Sequence, residues 1–218
     1  MTEVGLPFLT AGVPGIGGVI RTMPEDFRVD EQPLYLPCGE GEHLYLRVTK
    51  RGLSTHQMVS RFASTLGIKA RCIGVAGLKD ANAVTTQMVS VQGVAPDTIA
   101  RLRPDDRILS VELLGRHRNR LRTGHHRGNV FRLVVRGVHP GAATRVPAVL
   151  ELLCRRGVPN YFGPQRQGRT GINYKVGAAL LGDERRRAKV PKPQRLWYLH
   201  AYQSFLFNRV LASRIDRI

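Results

Sequence analysis

The chain has 218 residues, 42% of them hydrophobic, enough to bury the core of one large domain or of one and a part. Its net charge of +18 is lopsided: residues 1–112 hold 12 Lys/Arg and 12 Asp/Glu, whereas residues 113–218 hold 22 and 4. Four acids in the basic half argue against Mg²⁺-dependent phosphoryl transfer or nuclease chemistry, three cysteines without CxxC or Cys/His spacing against a disulfide framework or zinc site, and the lack of a long apolar run against a membrane span.

The expected protein is soluble, cytoplasmic and monomeric, with no metal and no membrane partner. Residues 113–150 contain no acid at all, and uncompensated arginine on that scale fits a polyanionic partner, nucleic acid foremost. A solvated basic face is the plain alternative.

Along the chain, the glycines at 12, 15, 17 and 18 lack the flanking strand and helix of a dinucleotide loop, and VIRTMPEDFRVDEQPLYL reads as extended segments broken at Pro24 and Pro33. HLYLRVTK alternates as a strand. Ser54 or Thr55 then caps a helix through Leu66, ended at Gly67. Residues 73–76 and 84–91 read as strands joined by a loop that holds Lys79 and Asp80, the only acid between Glu42 and Asp97. After one helical turn in PDTIARLRPDD, ILSVELLGRHRNR and GNVFRLVVRGV are two more strands, and RHRNRLRTGHHRG between them reads as a long basic hairpin. Its paired histidines, His125 and His126, read as solvated companions of the arginines. Ala142 to Arg156 is a helix candidate, VPNYFGPQRQGRTG a glycine-rich loop, and residues 196–215 a long helix with Trp197, Ala201, Phe205 and Leu206 at core spacing. Strands first and helices later predict an α+β protein.

Asp80 stands out by elimination as a carboxylate at the end of a sheet, although Lys79-Asp80-Ala81-Asn82 also suits an ordinary Asx-turn. GLKDANAVTTQ closely resembles the signature of the TruD family of tRNA pseudouridine synthases. IRTMPEDFRVDE, GEGEHLYLRVTK, HRNRLRTGHHRGNVF, VPNYFGPQRQG and AYQSFLFNRVLASRI resemble further family stretches, in the same order.

The resemblance implies a pseudouridine synthase core with a mixed or antiparallel sheet and flanking helices over residues 1–154, then the beginning of the family's helical insertion over residues 155–218. It also implies that the chain stops before the family's closing strand and helix. The implied activity isomerises uridine at position thirteen of transfer RNA, without a cofactor. Asp80 falls on the catalytic aspartate, and Phe27, Asn129 and Phe131 fall on substrate-binding positions. Arg21 and Lys79 are competing cationic partners for Asp80. Lys79, Arg21, Arg118, Arg120, Arg122, Arg127 and Arg166 are secondary candidates for contacts to RNA. Gln167 stands where the family usually has an aromatic residue. A noncatalytic RNA-binding protein, or an inactive remnant of such an enzyme, is the alternative.

Overall fold

The computed structural model describes residues 6–168 and 170–217, apart from the side chains of Arg186 and Arg187. It divides into two compact units, Gly17–Val138 and the described parts of Met1–Ile16 with His139–Ile218.

The first unit contains β1 (Val19–Ile20), β2 (Phe27–Pro33), β3 (His43–Arg51), α1 (Thr55–Leu66), β4 (Ile73–Val75), β5 (Val84–Gln92), β6 (Ile108–His117), β7 (His126–Leu133) and β8 (Val135–Arg136). Six of the strands form a mixed sheet in the order β6-β3-β5-β2-β7, with β4 also on β5. Only β2 and β5 run parallel, in the register Arg28↔Val84. β1 and β8 form a separate two-stranded ribbon.

Alternation sets the faces of the sheet. Leu44, Leu46 and Val48 of β3 join Val89 and Val91 of β5 in a core covered by Met58, Phe62 and Leu66 of α1. Tyr45 and Met88 point the other way and pack with Ala76 and Leu121. α1 begins with a reciprocal capping box, in which Gln57 N donates to Ser54 Oγ at 3.2 Å and Ser54 N to Gln57 Oε1 at 2.9 Å. It ends at Gly67, whose φ of 68° is left-handed. Burying Phe62 to 1% exposure contributes roughly 1.5–3 kcal/mol.

The basic hairpin does not form. β6 and β7 occupy opposite edges of the sheet, so the chain between them is a strap across one face. Leu121 buries itself there, its N–H donating to Ser90 Oγ at 3.0 Å, while Tyr45 Oη donates to Asn119 O at 2.9 Å. Gly74 allows the close approach, since a Cβ at that position would lie 2.4 Å from Leu121 O. The apolar leucine within the arginine run decides the path, because it has a core to enter.

The second unit contains α2 (Ala142–Arg156), α3 (Asn173–Gly182), α4 (Glu184–Lys189) and α5 (Lys192–Ile215). α5 buries Ala201 as expected, together with Ser204 and Asn208, but of the other expected core residues Trp197 and Leu206 are about half exposed at 49% and 45%. The contact of α3 with α5 selects small residues. A Cβ at Gly177 would lie 2.1 Å from Tyr198 O.

Candidate active site

The loop of residues 76–83 runs from β4 to β5 and carries Asp80, which is partly buried. Consecutive residues tie it to different elements. Lys79 N donates to Thr55 Oγ1 at 2.9 Å, and Thr55 Oγ1 in turn donates to Gln87 Oε1 at 3.1 Å. Lys79 Nζ meets Glu31 Oε2 at 2.5 Å, with side-chain exposures of only 4% and 0%. The other Glu31 oxygen accepts from Met88 N at 2.9 Å. The main-chain oxygen of Asp80 accepts from Lys50 Nζ at 3.2 Å, and that ammonium also donates to Leu53 O.

Lys50 is fully buried. Burial pushes its ammonium down to about 8, with the Asp80 charge acting in the opposite direction and the Lys79 charge adding to the fall. Of the two cations weighed for Asp80, Lys79 is therefore committed to Glu31 and withdrawn from the surface, and Arg21 lies over the Phe27 ring. Asp80 forms no ion pair among the described residues. The buried charge that faces it belongs to Lys50, which sequence reasoning missed. A signal existed in the alternation: Leu44, Leu46, Val48 and Lys50 share one parity on β3, as Phe27, Val29 and Glu31 do on β2. A charge at an inward position marks a buried group that needs polar partners, here main-chain carbonyls for Lys50 and the Lys79 ammonium for Glu31.

Phe27, Val29 and Ala83 form a small apolar cluster, with Ala83 three residues after Asp80. β2 and β5 begin side by side, so the Asp80 loop and the Phe27 ring share one end of the sheet. Phe27 is buried at 4%, and the Phe131 ring lies parallel to it at 5.9 Å and 7° while remaining 54% exposed. The Arg21 guanidinium sits 3.9 Å from the Phe27 centroid, a cation–π contact. Arg21 holds a φ of 60°, the only positive value outside glycine among the described residues and a conformation that costs of order 1–3 kcal/mol. Phe131 is thus the available aromatic face and Phe27 its support.

Asn129 pairs with Glu31 across β2–β7, which puts it on the same face as Phe131. Its Oδ1 is buried and lacks a hydrogen-bond partner among the described residues. The arginines differ in their availability. Arg118 is engaged by Glu40 and Arg120 donates to Ile73 O at 2.6 Å, whereas Arg122 and Arg127 are exposed. Arg166 belongs to the second unit, 5.3 Å from the Phe162 centroid. Among the described residues no group of three or more His, Cys, Asp or Glu could hold a metal, and no helix is long and apolar enough to cross a membrane.

The sequence profile of tRNA pseudouridine synthase D (TruD) matches residues 3–190. The chain belongs to the TruD family. It is 50% identical over 215 residues to the tRNA pseudouridine synthase D of Anaeromyxobacter dehalogenans (strain 2CP-C), an alignment covering 96% of this chain and 60% of that protein. It is 49% identical over 178 residues to that of Geobacter metallireducens, covering 81% and 43%. The chain therefore spans about 60% of the length of the first of these TruD relatives. The fold matches a crystal structure of a putative TruD from Methanosarcina mazei with a TM-score of 0.84 at 23% identity, covering 97% of this chain and 63% of that one. The departure from the TruD pattern at Gln167 has a structural counterpart. Gln167 is 1% exposed, its Nε2 donating to Ala201 O and its Oε1 accepting from Tyr174 N, both at 3.2 Å, so a buried amide ties α3 to α5.

Proposed function

We propose that this chain carries the uridine-isomerising site of a tRNA pseudouridine synthase acting at position thirteen of transfer RNA, with Asp80 as its catalytic carboxylate. The observation that supports it best is the placement of Asp80: its loop is fixed by Lys50 and Lys79 at the sheet end where the Phe27–Phe131 pair lies. A target base must leave its stack at a cost of a few kcal/mol, and stacking on the exposed Phe131 ring returns roughly 1–3 kcal/mol. Asn129 meets the base edge with its unpaired Oδ1. The N1–C1′ bond breaks and a C5–C1′ bond forms, while the C5 proton leaves and N1 gains one. Nothing is oxidised or reduced overall, so the carboxylate suffices either as nucleophile at C1′ or as proton acceptor.

In this reading residues 1–154 are the synthase core and residues 155–218 the beginning of the helical insertion, working as a cytoplasmic monomer. Arg122 and Arg127 hold RNA phosphates. The test is tritium release from C5-labelled uridine in transfer RNA. Asp80→Asn abolishes release and leaves RNA affinity nearly intact; release by that variant refutes the assignment. RNA binding without turnover by the 218-residue chain, beside turnover by a longer relative, favours an inactive remnant of such an enzyme.

A further inference from the structure

His125 and His126 are neighbours in the sequence with opposite surroundings. His125 Nδ1 is 2.7 Å from Tyr35 Oη, and Tyr35 packs against the Tyr45–Leu121 cluster. His126 lies on the other face. The β2–β7 register runs Glu31↔Asn129, Gln32↔Gly128 and then Pro33↔His126, so Arg127 is the extra residue of a bulge. Simple alternation from Asn129 would turn Arg127 inward; the bulge puts His126 there instead and leaves Arg127 exposed. The imidazole lies over the root of the Asp80 loop, since a Cβ at Gly77 would be 3.4 Å from both His126 Cε1 and Lys79 Nζ.

Two buried polar atoms on this face, His126 Nδ1 and Asn129 Oδ1, have no partner among the described residues. Buried polar atoms are nearly always satisfied, and an unmade bond in a site points to a group that arrives. We propose that His126 is a specificity residue that reads the pyrimidine edge of the target nucleotide together with Asn129, selecting uracil against cytosine. This rests on the uridine-site reading above. Uracil presents an N3–H donor beside the O4 acceptor. Asn129 Oδ1 accepts from N3–H, and His126, as the Nδ1–H tautomer, donates to O4. Cytosine offers an acceptor at N3 and an amino donor at C4, so both contacts become repulsive and the buried atoms stay unpaired.

The experiment measures binding, so it does not depend on turnover. In the 218-residue chain carrying Asp80→Asn, affinities are compared for tRNA transcripts with uridine, cytidine or 4-thiouridine at the target position. Uridine is preferred to cytidine by about tenfold or more. Adding His126→Phe removes most of that preference, and His126→Gln, which keeps an N–H donor, restores part of it. The sulfur of 4-thiouridine is a poor acceptor and weakens binding only where His126 is present, a readout that a loss of folding does not imitate. An unchanged uridine preference in His126→Phe, or no preference in the parent, overturns the proposal. Turnover by Asp80→Asn refutes the catalytic assignment instead and leaves this binding comparison readable.

Discussion

Lys79 and Glu31 form a buried ion pair, Nζ to Oε2 at 2.5 Å, that fastens the Asp80 loop to the second strand of the sheet. Desolvating two charges is compensated only while each has the other, and the second Glu31 oxygen is also held, by Met88 N–H. Removing one partner by Lys79→Met or Glu31→Gln therefore destabilises the fold by about 3–5 kcal/mol in urea unfolding. The double variant Lys79→Met with Glu31→Gln recovers a large part of the loss. Additive losses would show that the two charges are not coupled.

Lys50 links stability to alkaline pH. Its folded-state value of about 8 lies below the ordinary 10.5, so between these values the unfolded chain binds the extra proton and folding stability rises with pH. Relative to Lys50→Met, wild type gains at most about 1.4 kcal/mol per pH unit across that window and nothing below it. Parallel stability curves for the two proteins from pH 7 to about 11 would refute the burial of a charged Lys50.

On the proposed reading, Phe131 serves recognition and Phe27 supports it. Phe131→Ala exposes little new core, because the ring is already 54% accessible; tRNA affinity falls by roughly 5–100-fold as one stack is lost, with the melting temperature nearly unchanged. Phe27→Ala empties a buried site and costs about 3–5 kcal/mol of stability. The pair of variants is measured by filter binding and thermal melting. Equal loss of affinity with no loss of stability in Phe27→Ala would reverse the two roles.

Asp26 gives the acid limb. Hydrogen bonds from Arg136, at 2.7 to 3.0 Å, hold its carboxyl below the ordinary 3.8, with burial acting the other way. The stabilisation is complete above that ordinary value and is lost as pH falls through the lower folded one. Asp26→Asn lowers the melting temperature at pH 7 and flattens its decline below pH 4. A wild-type decline no steeper than that of the variant would remove Asp26 from the acid response.

Much of this protein was legible in its sequence because the signals are local. The Ser54–Gln57 capping box and the glycine at 67 bound α1, Ala142–Arg156 forms as its pattern predicts, and the motif around Asp80 marks the loop. Bonds within a few residues carry that information. Only the tertiary structure decided that β6 and β7 sit at opposite sheet edges, that Lys79 serves Glu31 while Lys50 faces Asp80, and that one bulge turns His126 inward. These outcomes depend on which strands become neighbours. A side chain's partner across a sheet is set by register, and a single extra residue reverses every face beyond it.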